Sequence, residues 1–306
     1  MTTPAHPPPH TVYAPTASDM VGFLMPQKDG KILSWGAVIE GPLSAWRAAN
    51  PGALFANLEG RRDIVDADLS LLLGIRALNI CGCSQVTDSG LSKLSSLWVL
   101  DMSGCTQTTI TDQAFSSLSG LRELNMSYCT QNSLTDGAFS NLKNLKALDL
   151  SFCALDALGD TGLARVGSSL LWLRAEGISL PTFTGQSFNY LPSLRTLSLT
   201  LPESSPLAFS DCHFSHLHRA PLTSLTLWNV QSAVGVSDRA FAALGGLKEL
   251  ELSFRPFQGE GPPLRSRFTR FAFVSQKDNL ERLTLHGDVP ESIREAARAA
   301  NLKICS

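Results

Sequence analysis

The sequence predicts an α/β fold, an open solenoid of short strand–turn–helix coils. Two observations carry this. An L-x-x-L-x-L pattern recurs ten times, opening at Ala53, Ile75, Leu97, Leu121, Leu145, Leu170, Leu194, Leu222, Leu247 and Leu280, in steps of 22 to 33 residues. A repeat of about that length marks supersecondary units that bury their apolar faces only by stacking. Within each unit, L-x-L alternation fits a short strand with its leucines on one side. The segments that follow, such as "VTDSGLSKL" (86–94), "ITDQAFSSL" (110–118), "LTDGAFSNL" (134–142) and "VSDRAFAAL" (236–244), place apolar residues at helical spacing. Each begins with a Thr/Ser-Asp pair whose side-chain oxygens can cap a helix.

In chain order, residues 1–17 are rich in Pro and Thr and predict a disordered tail. Residues 18–52 predict a small helical module in front of the repeats, and 53–306 the solenoid. The first coil, "ALFANLEG", is the weakest match, as a terminal coil often is. Cys83, Cys105, Cys129 and Cys153 each lie five residues after the second leucine of their coil. That slot points inward at the end of the strand, so the four thiols are read as inert packing groups. Steps above 25 residues imply loop insertions. "PESIREAARAAN" (290–301) reads as a closing amphipathic helix with Pro at its first turn, and "LKIC" (302–305) as a last strand.

Only 17% of the 306 residues are charged and the formal net charge is −2, so no basic surplus favours nucleic acid or anionic lipid. Seven cysteines, four at equivalent repeat positions, argue against a disulfide framework. The N-terminus lacks a basic stretch followed by an apolar core, and no run reaches the roughly 20 apolar residues of a membrane helix. The expectation is a soluble cytoplasmic or nuclear protein.

No phosphate-cradling G-x-x-x-x-G-K, nucleophile G-x-S-x-G or zinc-binding H-E-x-x-H occurs, so no catalytic residue, cofactor or metal is expected. Cys212, His213, His216 and His218 in "DCHFSHLHRA" are the one cluster of metal-ligand types. They are read as a polar insertion on the convex side.

"LNICGCSQVTDSGLSKL", "LDMSGCTQTTITDQAF" and "LNMSYCTQNSLTDGAF" resemble the cysteine-containing class of leucine-rich repeats, whose members are mostly F-box proteins. The resemblance implies a leucine-rich repeat solenoid (horseshoe). The cysteine stands in coils two to five, and coils six, seven and ten are among those that lack it. "FLMPQKD" (23–29) and "AWRAANPGALF" (45–55) are similar to elements of an F-box, although the L-P dipeptide that usually opens that module is missing. If 18–52 is an F-box, a Skp-family adaptor would contact Phe23, Leu24, Pro26, Ile32, Leu33 and Trp35, and the protein would be a substrate receptor of a cullin ubiquitin ligase. If those residues only cap the first coil, the protein is a free-standing interaction scaffold.

In either case the third, fifth, seventh and eighth positions of each coil are expected to face solvent on the concave sheet. Aromatic side chains beside charges there suit a protein interface. The expected target contacts are Glu123, Tyr128, Phe152, Trp172, Arg174, Glu176, Trp228, Glu249, Glu251 and Phe254, with the alternative that Phe152 and Phe254 tuck into their turns.

Overall fold

The computed structural model describes residues 23, 34–178, 184–201, 210–230, 235–254, 269 and 272–305. The expected tail lies outside them, as do Leu24, Pro26, Ile32 and Leu33. Eleven strands form one sheet in which every neighbouring pair is parallel and the spatial order is the chain order. They are β1 (Phe55–Asn57), β2 (Ala77–Asn79), β3 (Val99–Asp101), β4 (Glu123–Asn125), β5 (Ala147–Asp149) and β6 (Trp172–Ala175). β7 (Thr196–Thr200), β8 (Ser224–Trp228), β9 (Glu249–Phe254), β10 (Arg282–Gly287) and β11 (Ile304–Cys305) complete the sheet. The ten predicted coils supply β1 to β10, and "LKIC" supplies β11.

The helical segments on the other side are short. Asp88–Leu91 and Asp238–Ala242 are α-helical, whereas Asp112–Phe115 and Asp136–Phe139 are 3-10 turns. These four are single turns, whereas Asp160–Val166 in the fifth coil runs to seven residues. One continuous core, from Ile39 to Ala300, fills the space between the layers. Phe115, Phe139, Phe188, Phe214, Phe241 and Phe273 project into it as a fully buried row.

Two ladders of polar contacts hold coil to coil. In the first, the Cys83, Cys105, Cys129 and Cys153 thiols donate to the carbonyls of Leu58, Ile80, Met102 and Met126, each one coil back. A small side chain with a weak donor suits a slot that faces a buried carbonyl. In the second, each helix-start aspartate reaches forward. Asp66, Asp88 and Asp112 accept from the backbone N–H and hydroxyl of Thr87, Thr111 and Thr135 in turn. The same threonines cap their own helices. The Thr-Asp signature therefore does two jobs: Thr caps within a coil and Asp ties that coil to the next. Asp136 serves Gly159 and Gly162, and Asp160 serves Thr184 and Ser187. Gly185 then stands where the next aspartate would be, and the ladder resumes only with Asp211 and Ser237.

At the N-terminal end, residues 34–50 cap the first coil. The Ile39 N–H donates to the Asn57 carbonyl, and the Asn57 amide donates to the Gly36 carbonyl. Arg61 reaches the Ile39 carbonyl, while Arg47 reaches the carbonyls of Asn50, Ala53 and Leu73. These bonds satisfy polar groups that the edge of β1 would otherwise leave open. One short helix, Leu43–Ala49, lies in this stretch, with Leu43 buried in the core. At the other end, helix Glu291–Ala299 buries Ile293, Ala296 and Ala297. It stops at Asn301, whose positive φ of 55° breaks the helical path.

Two side chains expected to meet an adaptor are engaged within the chain. The Phe23 and Trp35 rings stack with centroids 4.1 Å apart and pack around Ala77 and Val99 on the concave side of the sheet, beside Phe55 and Trp98. That part of the concave face is therefore not open. Ala77, Val99, Glu123 and Ala147, all third-position residues, are at most 1% exposed.

Candidate functional site

The fifth-position side chains sit on the concave side, and the strand register runs through them without slip from Asn57 to Thr284. In coils one to five each is engaged locally. Asn57, Asn79, Asp101, Asn125 and Asp149 each turn an oxygen back onto the N–H two residues on, at Glu59, Cys81, Ser103, Ser127 and Ser151. This local turn is the reason for Asn and Asp there, and it ends each strand.

The next turn brings the eighth position to positive φ. Gly60, Gly82, Gly104 and Gly177 occupy it in coils one, two, three and six. In coils four and five the same slot holds Tyr128 at φ 60° and Phe152 at φ 58°. Bulky residues there cost on the order of 1–3 kcal/mol each. The slot is enforced by the ladder, since the N–H of Tyr128 donates to Ser151 and that of Phe152 to Glu176. The two rings are stacked, 4.9 Å apart and 14° from parallel, and yet remain 57% and 46% exposed. Phe152 lies so close over Gly177 that a Cβ there would stand 2.6 Å from its ring. Three successive coils thus form one aromatic ledge on the rim.

Beside the ledge, at the fifth position of coil six, Arg174 replaces the Asn/Asp of the earlier coils. It lays its guanidinium along the Glu176 carboxylate, with Nε and Nη2 each 2.9 Å from an oxygen, and comes within 3.8 Å of Asp149. Ser198 donates to the same carboxylate at 2.6 Å. Burial pushes the Glu176 carboxyl up, but the Arg174 and Ser198 bonds, the Arg174 charge and the nearby Trp228 indole N–H outweigh it and hold it below the usual range. The indole nitrogen of Trp228 is itself buried without a closed hydrogen bond among the described residues. For Asp149 burial wins, and its carboxyl is raised despite Ser151 and Arg174.

Farther along, the Trp228 and His286 rings lie parallel within 3°, with centroids 6.3 Å apart. His286 Nε2 is 2.8 Å from Glu251, and Arg282 is 3.3 Å from Glu249. The arrangement offers exposed apolar rings and fixed charges.

Comparison with known proteins agrees with the fold. A family profile described as leucine rich repeat matches residues 95–155. A chain of the TLR13–ssRNA13 complex superposes with a TM-score of 0.50 at 22% identity, covering 72% of this chain and 30% of that one. A chain of the octameric complex of Latrophilin 3, Unc5D and FLRT2 superposes at 0.52 and 17% identity, covering 89% of this chain and 87% of that one. This chain has the solenoid fold of leucine-rich repeat proteins. The likeness to these structures is one of fold, and no curated protein matches the sequence.

Within the leucine-rich repeat frame, the expected target contacts divide. Tyr128 and Phe152 are exposed, Glu249 is exposed, and Trp172, Arg174, Trp228 and Glu251 are half-buried. Two were misplaced as open contacts. Glu123, in β4, is fully buried like the third-position residues beside it, and Glu176 is enclosed by Arg174 and Ser198. Phe254 takes the packed alternative, buried at 2% exposure at the end of β9. The Cys212–His218 stretch is helical and carries part of the coil's extra length. Ser210-Asp211 is that coil's own Ser-Asp pair and opens a helix over Asp211–Ser215, which leaves His213 buried and Cys212 exposed. Against the third coil, two of the four extra residues of this coil fall before Asp211 and two after it, where the helix runs on into a 3-10 turn over His216–Arg219. Among the described residues no group of three His, Cys, Asp or Glu is placed to hold a metal.

His286, Ser198 and Asp149 join the site without having been singled out as contacts. His286 could have been found by carrying the seventh position from Trp228 two coils onward.

Proposed function

We propose that this protein is a non-enzymatic interaction scaffold that holds a protein target on the concave rim. The target would bind at the Tyr128–Phe152 ledge and the adjoining patch of Trp172, Arg174 and Trp228. The observation that carries this reading is the ledge. Two large aromatic residues occupy a backbone slot that other coils give to glycine, remain half-exposed, and lie beside a preorganised Arg–Glu pair. Strain kept at an exposed position is a reason to look for function there, and rigid aromatics beside Arg are the side chains that anchor interfaces. All seven cysteines are free thiols, which supports a reducing compartment, cytoplasmic or nuclear.

A second form of the reading makes the protein the substrate receptor of a cullin ubiquitin ligase, with 18–52 as an F-box. It is supported by the order of "FLMPQKD" and "AWRAANPGALF" ahead of cysteine-containing coils. Because Phe23 and Trp35 pack on the chain's own sheet, the adaptor contacts of this form fall to Leu24, Pro26, Ile32 and Leu33.

Quantitative affinity purification separates these forms. Tagged parent and a Tyr128→Ala, Phe152→Ala, Arg174→Ala variant are compared in the same cells. Loss of a specific protein from the variant supports the rim, and a Skp-family adaptor retained by both supports the ligase form. Identical protein sets with no adaptor in either would remove both.

A further inference from the structure

A different edge of the solenoid carries a feature that the reading above does not use. Trp98 stands at the second position of its coil, just before β3. The Arg76 guanidinium lies 4.8 Å from its ring centroid and that of Arg122 4.2 Å, from the coils on either side. Cations that close to an indole are held by its quadrupole, so Trp98 is a fixed plate clamped between two arginines. Beside it opens a shallow cleft of about 320 Å³ lined by Trp98, Gly120, Arg122, Asn144 and Lys146.

The charge around this cleft has one sign. In coils two to seven, the residues that lead into each strand are 70–76, 92–98, 116–122, 140–146, 165–171 and 189–195. These six stretches hold seven Lys or Arg residues and no Asp or Glu, in a chain whose net charge is −2. Arg122, Lys146 and Arg195 form no ion pair among the described residues. The opposite, strand-end side carries Asp101, Asp149, Glu176 and Glu251. Positive charge gathered along one edge and left unneutralised raises the local concentration of anionic partners.

We infer that this strand-entry edge is a docking surface for an acidic segment of a protein partner, with its carboxylates between Arg122 and Lys146 and its chain against the Trp98 plate. The inference rests on the reading of the protein as an interaction scaffold. Strands lie about 4.8 Å apart, so basic side chains on successive coils meet acidic side chains spaced closely along an extended peptide. The segment runs across the strands along the edge and leaves the aromatic ledge free for the body of the same target.

The test uses the full-length protein and a fluorescein-labelled dodecapeptide of alternating Glu and Gly, with a Lys–Gly peptide as control, read by fluorescence anisotropy. The parent binds the acidic peptide, and raising salt from about 20 mM to about 200 mM weakens binding several-fold through screening. Lys146→Glu weakens it roughly threefold and Arg122→Glu/Lys146→Glu roughly tenfold, as removal of rim charges does. The Lys146 side chain makes no hydrogen bond or ion pair among the described residues, so that variant keeps the fold even if loss of Arg122 loosens Trp98. A Tyr128→Ala/Phe152→Ala variant binds the peptide as the parent does, which keeps this test independent of the ledge. Three results would overturn the inference: no binding by the parent, equal binding by parent and double-charge variant, or equal binding of the Lys–Gly peptide. A single-stranded RNA probe that binds where the acidic peptide does not would also overturn it.

Discussion

The rings of Tyr128 and Phe152 stack 4.9 Å apart although each residue sits on backbone of positive φ. Glycine is the residue that backbone favours, so the pair is held there against local preference. Stacking returns about 0.5–1.5 kcal/mol, less than or comparable with the strain of two such residues. Phe152→Gly is therefore expected to change unfolding free energy by no more than about 1 kcal/mol, and in the stabilising direction if strain dominates. Urea unfolding of the variant checks this. A loss of about 3–5 kcal/mol, typical of deleting a buried phenylalanine, would make the ledge a packing element.

The thiol ladder predicts selective reactivity. Burial, the largest influence, pushes Cys83 up to about 11 and Cys105 and Cys153 up to about 12, and raises Cys129 further. At pH 8 these groups are thiols, whereas Cys212 is exposed. Iodoacetamide should modify Cys212 within minutes and Cys129 only on unfolding, as peptide mapping would show. Cys129→Ala should cost about 1–2 kcal/mol, the scale of a small core void. Rapid alkylation of Cys129 in the folded protein would contradict the assignment.

The aspartate ladder predicts both a stability loss and an acid limit. Asp112→Ala removes a carboxylate that holds the N–H and hydroxyl of Thr135, and should cost roughly 1.5–3 kcal/mol, the range for hydrogen bonds to a charged group. For Asp160, burial raises the carboxyl, but bonds from Thr184 and Ser187 outweigh it and the net shift is downward. A carboxyl whose folded value is depressed adds stability that is fully present above its unfolded value near 4 and disappears as pH falls through the lower folded value. Asp160→Asn should be less stable than the parent at pH 7, with the gap closing as the solution is acidified below about pH 4. Thermal unfolding across that range measures it, and a gap independent of pH would contradict the ladder's electrostatic part.

The coil architecture was legible because burying one strand face leaves little choice of register. Leu78, Leu100, Leu124 and Leu148 align as the pattern requires, and with them the fifth-position row. What that row does was less legible. As fifth-position residues Asn79 and Asp101 are expected to face solvent, yet each spends an oxygen on an N–H two residues away, a local turn that alternation does not reveal. Glu123 failed for another reason. Strand alternation says which side a residue faces but not what covers that side: the neighbouring third positions Ala77 and Val99 are covered by Phe23 and Trp35, from far earlier in the chain. Phe254 and Phe152 share a repeat position, and only their turns distinguish them: Phe152 has positive φ and points out, while Phe254 continues its strand and is buried.

The central claim, that the ledge binds a protein target, is tested most directly by placing a photo-crosslinking phenylalanine analogue at Tyr128 in the full-length protein expressed in cells. The control places it at Tyr190, which is 59% exposed but sits on a helical turn away from the sheet. The account predicts a discrete protein adduct from position 128 that is lost when Arg174→Glu is added, and no such adduct from position 190. No adduct at 128, or the same adduct from both positions, would contradict it.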